Sequence, residues 1–308
     1  DVHLFHKVLL ENYLVNKTNP QNRKLAYIRL NQDLKKGIIK SAVITASFQH
    51  SEEGREMQKN GSNVFRKELD KVQTYGFSGE LLLSSSTIWS GNIGFEVYSD
   101  LVKSSRKDTD IQTFMSVSRR GLYPDGSSMT STAIFSTHSI RVDDWILSAG
   151  ARFNAFSINV RDGVTGSTRL SPNAIVGNIG ILRKITVASG LFVSLNTGFR
   201  APNIDDLGTL GIVDFRYEIP NFDLKPEKSF QYQLGYRHNS KILKGDFFVY
   251  RNELYDLITR KRVEGQTIEE YPLYQKENSD RAFIQGVETS WDLYAGSSFV
   301  LRSSLTYT

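Results

Sequence analysis

Between Gly190 and Phe199 the chain changes character at nearly every residue. Leu191, Val193, Leu195, Thr197 and Phe199 alternate with Gly190, Ser194, Asn196 and Gly198, and Phe192 is the one bulky residue out of phase. A period of two puts the two sets on opposite faces of a strand. One face is apolar and the other small and polar, as expected where hydrocarbon lies on one side and a hydrated lumen on the other. The pattern recurs. Trp145, Leu147, Ala149, Ala151 and Phe153 alternate with Ser148, Gly150, Arg152 and Asn154, and Tyr232, Leu234 and Tyr236 with Gln231, Gln233, Gly235 and Arg237. Phe283, Val287, Trp291 and Leu293 alternate with Gly286, Glu288, Ser290 and Asp292. Charge keeps to one face because on a lipid-facing wall it costs about 2–4 kcal/mol at the midplane. One segment breaks the rule: Phe247 and Val249 alternate with Asp246, Phe248 and Tyr250, so both faces are bulky.

These patterns predict about twelve strands, at 23–31, 38–50, 72–84, 87–102, 129–141, 144–160, 170–183, 186–200, 227–239, 242–258, 280–294 and 298–308. The first 22 residues show no period and read as an irregular lead-in. Along the chain the connections alternate between short (32–37, 85–86, 142–143, 184–185, 240–241, 295–297) and long (51–71, 103–128, 161–169, 201–226, 259–279). Tight turns at one end and long loops at the other are the signature of a transmembrane β-barrel. Trp89, Trp145, Tyr236 and Trp291 fall near strand ends, where an aromatic girdle would lie. No internal repeat divides the chain, so it reads as one all-β domain.

Composition narrows the choice. With 39% hydrophobic residues among 308 and a mean hydropathy of -0.34, no run approaches the roughly 20 apolar residues of a membrane helix. A barrel hides in such numbers because each strand gives only half its residues to lipid. Cysteine is absent, which removes disulfides, thiolate metal sites and cysteine nucleophiles. The net charge of +5 is scattered over pairs such as Lys35-Lys36 and Arg119-Arg120, without the stacking aromatics of a nucleic-acid surface, so no nucleic acid partner is expected. His3, His6, His50, His138 and His238 form no converging set, and no resident cofactor or metal is expected. Asp143-Asp144, Asp205-Asp206 and Glu269-Glu270 are adjacent pairs, which face opposite ways on a strand and make no acid–base couple. No nucleophile elbow or phosphate-cradling loop occurs. The N-terminus lacks a basic start, apolar core and small-residue cleavage site, so either processing has already occurred or, as favoured here, the chain starts inside a longer product.

Several ordered motifs then resemble the barrel of a TonB-dependent outer-membrane receptor. They are the segments Asn196 to Leu207 (NTGFRAPNIDDL), Pro220 to Glu227 (PNFDLKPE), Tyr232 to Tyr236 (YQLGY) and Arg281 to Glu288 (RAFIQGVE), with Tyr123 to Ser128 (YPDGSS) upstream. Locally, Pro202 ends a strand by withdrawing an N–H donor, Pro226 holds Lys225 extended, and Gly286 marks a bulge or a close approach. The resemblance implies about 22 strands around a plugged lumen. This chain is then part of a large antiparallel transmembrane barrel, about 12 of about 22 strands, left open, with the plug and other strands elsewhere.

The resemblance further implies a receptor of the bacterial outer membrane that imports a bulky, scarce nutrient such as a ferric siderophore. It would be energised by a TonB-type partner through the absent plug, and would not be an enzyme. Loop and strand-end residues Arg200, Asn203, Asp205, Asp206, Arg216, Tyr217 and Asn221 are the candidate ligand contacts. Some haem receptors of the family place a histidine in this loop, and residues 203 to 219 contain none. Two rivals share part of the pattern: a passive porin or adhesin barrel, and a soluble β-rich carbohydrate-binding domain whose outward faces would be polar.

Overall fold

The computed structural model describes residues 12–34, 37–85, 87–296 and 298–308. Its strands are β1 (Tyr13–Asp33), β2 (Ile39–Lys59), β3 (Val64–Ser84), β4 (Trp89–Asp110), β5 (Ser116–Arg119), β6 (Ser128–Val142), β7 (Trp145–Val160) and β8 (Thr168–Leu170). They continue as β9 (Asn173–Lys184), β10 (Ser189–Arg200), β11 (Gly211–Val213), β12 (Arg216–Ile219), β13 (Glu227–Asn239), β14 (Leu243–Ile268), β15 (Tyr271–Ala295) and β16 (Phe299–Tyr307), with one short helix among the described residues, α1 (Ile204–Gly208). All strands belong to one sheet. Its wall runs β1-β2-β3-β4-β6-β7-β9-β10-β13-β14-β15-β16, every neighbour antiparallel. These twelve are the strands that the alternation predicts. β1 and β16 stand at the two ends of the wall and do not pair with each other, so the sheet is open.

The apolar rows are not packed into an interior. Leu191 is 43% exposed, Leu234 53%, Ile175 78% and Phe283 55%, all on the outward parity. A soluble sandwich would bury these rows, so that reading fails. The described residues build their buried apolar cluster elsewhere: Val102, Ile158, Val160, Ala201, Ile204, Leu207 and Leu224 gather where the 201–226 segment folds back on β4 and β7. Trp89, Trp145, Tyr236 and Trp291 sit on the outward parity at the short-turn end. There Trp89 stacks on His138 at 5.6 Å, and the Arg183 guanidinium lies 5.1 Å over Trp145.

The structure corrects several expectations. Residues 13–22 are not a lead-in but the outer half of β1. Residues 51–71 and 259–279 are not loops: β2 and β3 run on to a turn at 60–63, and β14 and β15 to a two-residue turn at Glu269-Glu270, both with positive φ (51° and 71°). These extensions look like loops because beyond the membrane both faces become polar, which erases the period of two without weakening backbone pairing. Strands of 21 to 26 residues exceed the 9–11 needed to cross a bilayer, so roughly half of each stands above the band. β5, β8, β11, β12 and α1 were also not anticipated. At Gly286 the β14–β15 register is unbroken, so there is no bulge; a Cβ there would lie 2.6 Å from the Tyr307 carbonyl oxygen. The glycine permits close approach. His3, His6 and Lys35-Lys36 lie outside the described residues.

The two-sided bulk at Phe248 also has an explanation. Phe192 and Phe248 both point into the lumen, their rings edge-on at 5.2 Å across Gly235, where an added Cβ would meet Phe192 at 2.1 Å. The inner wall takes two phenylalanines because the strand between them carries no side chain.

Candidate functional site

All the long connections and extensions meet at one end of the wall, and the charged groups gather there. The 201–226 segment begins where Pro202 ends β10. Asn203 caps α1: its Oδ1 accepts from the Asp206 amide at 2.7 Å, while Asp206 Oδ2 accepts from the Asn203 amide at 3.0 Å. This reciprocal box satisfies two backbone donors that a short helix leaves open. Arg200 donates from Nε and an Nη to Glu227 at 2.6 and 2.9 Å and from the other Nη to Asp206 at 2.7 Å. The segment leaves by β11 and β12, and β12 adds in parallel to the upper part of β15, with Tyr217 opposite Leu273.

Lys276 on β15 is the centre of this arrangement. Only 5% exposed, its Nζ reaches Asp205 at 2.6 Å, Asp206 at 3.7 Å and Glu218 at 3.9 Å. Burial pushes the Asp205 carboxyl up, but the hydrogen bond and charge of Lys276 outweigh it, and the group ends below the usual carboxylate range. Asn221 donates from Nδ2 to the Lys276 carbonyl at 2.9 Å. Arg216 pairs with Asp214 at 2.9 Å and Glu218 at 3.3 Å. Arg120, outside the sequence-derived set, ties the segment to the wall by donating to Asp162 and to the Gly208 carbonyl, both at 2.6 Å.

The sequence-derived candidates therefore converge, but on one another. Arg200, Asn203, Asp205, Asp206 and Asn221 form one brace that holds α1 against β15. Arg216 and Tyr217 lie on β12 next to it. Burial raises the Tyr217 phenol above its ordinary pKa, with Glu269 adding to the shift, and Ile212, its partner across β11–β12, lines a second region.

That second region was not legible as a site. On the inward faces of the β2–β4 extensions, Arg55, Arg66 and Arg106 interleave with Glu68, Asp70 and Asp108. Arg66 lies 3.6 Å from Asp108, Arg106 donates to Asp108 at 2.8 and 2.7 Å, and Arg55 pairs with Asp70 and stands 3.5 Å from Glu68. Burial pushes Asp108 up, yet Arg106, Arg66 and Arg119 hold it below the usual range. For Glu68 and Asp70 burial prevails, and both carboxyls are raised. The tip of the β14–β15 hairpin reaches across to this wall: Glu269 meets Arg66 and Glu270 meets Lys59, each at 3.3 Å, and the Tyr13 and Tyr271 hydroxyls bond. Beneath this bridge is a cleft of about 540 Å³ lined by Tyr13, Lys59, Arg66, Asp108, Ile212 and Glu269 among others. The only hint in the sequence was charge at every second residue, in Arg66-Lys67-Glu68-Leu69-Asp70 and Arg106-Lys107-Asp108. Another cleft of about 630 Å³ lies on the outward wall around Leu234 and Val249, where hydrocarbon would fill it.

Among the described residues no group of three or more His, Cys, Asp or Glu could hold a metal ion. His50 faces outward beside Glu52 at 3.2 Å, and His138 and His238 lie at the short-turn end. None lines the 540 Å³ cleft.

A family profile described as TonB dependent receptor-like, beta-barrel, matches residues 10–308. The chain belongs to that family. Solved structures share its fold. The copper transporter OprC superposes with a TM-score of 0.79 at 14% identity, over 94% of this chain and 46% of that one. The siderophore receptor PirA from Acinetobacter baumannii gives 0.67 at 18%, over 93% and 44%. The Serratia marcescens hemophore receptor HasR, solved with its hemophore and haem, gives 0.62 at 14%, over 93% and 54%. Among curated proteins, a probable hemoglobin and hemoglobin-haptoglobin-binding protein of Haemophilus influenzae is 37% identical over 109 residues. That match takes in 33% of this chain and 10% of the relative. The receptor chain thus spans about half the length of the solved relatives and a small part of the curated one.

Proposed function

We propose that this chain is the wall and outer mouth of an outer-membrane importer for a bulky, scarce nutrient, most simply a metal chelate of the ferric siderophore type. In this reading a TonB-type partner supplies energy through a plug outside this chain. The observation that carries it is the charged, tyrosine-edged cleft beneath the bridging hairpin, at the lumen side of a wall whose outer face is apolar. Paired arginines and carboxylates there offer donors and acceptors to a polar chelate and open toward it without leaving a bare charge in hydrocarbon. Tyr217 and Arg216 would touch the ligand, while Arg200, Asn203, Asp205, Asp206 and Asn221 would keep their loop in place for it. Outer-leaflet lipid is the other partner, and no step of this function makes or breaks a covalent bond.

The curated relative's name favours haem or a haem protein as a second reading. Axial ligation by a histidine of the described residues is not available to it, since none faces the cleft. Transport by the whole receptor separates these readings and the passive barrel. Cells carrying it should accumulate radiolabelled ferric chelate only when TonB and the proton gradient are intact. Uptake that persists without either would contradict the proposal, and uptake of haem with no chelate uptake would replace its substrate.

A further inference from the structure

The turn between β2 and β3 carries a chemistry that the fold does not require. Ser62 donates its amide to the Lys59 carbonyl at 3.2 Å, and of the two residues between them only Gly61 has a positive φ, 74°. This is the form of a type II turn, whose third position calls for glycine and whose second asks only for an ordinary negative φ. The turn therefore explains Gly61 but not Asn60. Together they make the one Asn-Gly step in the chain. Both residues are exposed, and a Cβ on Gly61 would meet nothing within 4 Å, so the space beside this backbone is open. Asn278, which precedes Ser279, is pinned instead: its amide nitrogen donates to the Asp256 and Lys225 carbonyls at 2.6 and 2.9 Å, and its oxygen accepts the Lys225 amide at 2.7 Å.

An asparagine before an unhindered glycine reacts with its own backbone. The Gly61 amide gives its proton to solvent base, and its nitrogen bonds to the Asn60 side-chain carbonyl carbon. The bond from that carbon to the side-chain nitrogen breaks, and the nitrogen leaves as ammonia, taking a proton from solvent. Water then adds to either carbonyl of the five-membered imide and opens it, to aspartate or to isoaspartate. No electron is transferred. Glycine permits the ring because it has no Cβ to clash and the widest choice of backbone angles. The product carries a carboxylate where an amide stood, and the iso form adds a methylene to the backbone of the turn.

The position of this turn gives the reaction a consequence. The Lys59 ammonium donates to the Glu269 carbonyl at 3.2 Å, meets the Glu270 carboxylate at 3.3 Å and lies 4.8 Å over the Tyr271 ring. Arg66, beyond the turn on β3, meets the Glu269 carboxylate at 3.3 Å. The two flanks of the turn thus hold the tip that roofs the 540 Å³ cleft. A new carboxylate one residue from Lys59 competes with Glu270 for it and repels both glutamates, and isoaspartate lengthens the turn that sets the position of Lys59. Ion pairs this open to solvent are weak, so one added charge is enough to shift the balance. We propose that Asn60-Gly61 is a self-modifying site, and that its conversion to aspartyl and isoaspartyl forms releases the β14–β15 tip from β2. The change is one-way and consumes only water, so the mouth of an old receptor opens more readily than that of a new one. This inference stands on the fold and is independent of the cargo.

Mass mapping and hydrogen exchange of the full-length receptor test it. Folded receptor is kept for days in detergent at mildly alkaline or mildly acidic pH, then digested with an acid-active protease. The peptide holding Asn60 should gain the mass difference between an amide and an acid and split into two chromatographic species. It should do so faster at alkaline pH, and before the peptides holding Asn239 and Asn278. Asn60→Gln should abolish the change there. Amide exchange over residues 265–272 should quicken about twofold to fivefold in the aged receptor and in Asn60→Asp, and stay at the original rate in Asn60→Gln. Conversion no faster at Asn60 than at Asn239 and Asn278 would overturn the proposal. So would an unchanged tip in both the aged receptor and Asn60→Asp, or exchange that quickens equally along every strand.

Discussion

The Lys276 ammonium lies 2.6 Å from Asp205, a residue 71 positions earlier in the chain, and this one cation serves three carboxylates. Lys276→Met would leave Glu218 and Asp206, side chains 2% and 9% exposed, without it. Asp206 keeps Arg200 and Glu218 keeps Arg216 and Arg260, so the main loss is the charged hydrogen bond to Asp205, worth about 1.5–3 kcal/mol, and the variant should expose the 201–226 segment to protease while the wall stays intact. Cleavage at the original rate would show that the brace does not hold the loop. Asp205 titrates lower in the folded loop than in an unfolded chain, so its pairing stabilises above about pH 4 and the contribution is lost as pH falls through the folded value. With 42% of that side chain open to solvent, the acid effect should be small beside the loss of the lysine.

Glu68 behaves in the opposite sense. Its carboxyl is raised by burial, so stability contributed by its protonation grows as pH is lowered from neutral and levels off below about pH 4.3. Glu68→Gln removes the cost of a buried charge while Asp70 remains on Arg55. The thermal midpoint at pH 7 should rise by about 2 °C, and the pH dependence above about pH 4.3 should flatten. A lower midpoint at pH 7 would mean that Arg55 depends on Glu68 more than on Asp70.

The clash at Gly235 predicts a rescue. Gly235→Ala drives a methyl into Phe192 and should cost about 1–3 kcal/mol in folding. The methyl would also meet Phe248 at 2.6 Å, so adding Phe192→Leu should recover only part of it. Folded yield in detergent reports both, and an additive double variant would contradict the stacking account.

Glu269 and Glu270 bridge the mouth through partly exposed ion pairs, each worth about 0–1 kcal/mol and screened by salt. Spin labels at Ser62 and Thr267 should therefore give a distance distribution that widens in 1 M salt or in a Glu269→Gln, Glu270→Gln variant. A distribution unmoved by both would assign closure to the Tyr13–Tyr271 contact.

What the sequence disclosed follows from what lipid demands. Wherever hydrocarbon touches the wall, as from Leu191 to Phe199, alternation is enforced and the strands, their order and their faces were legible. Above the band the constraint lapses. Arg55, Arg66 and Glu269 obey only strand pairing, which is written in no side-chain pattern, so their extensions read as loops and the cleft they line went unseen. The 201–226 segment was intermediate: its residues could be named as a group, but Lys276, the group that unites them, lay in a stretch taken for a loop. Asn203 and Asp206 did carry a capping signal that short range alone would have revealed.

The chain has no cysteine, so single cysteines can be placed at each position from Leu191 to Arg200 of the receptor, after replacement of any cysteine outside this chain, and spin-labelled in liposomes. Collision with oxygen should peak at Leu191, Val193 and Leu195, and collision with a water-soluble nickel complex at Ser194, Asn196 and Gly198. A profile without that two-residue alternation, or with the phases exchanged, would contradict a wall between lipid and a watery lumen.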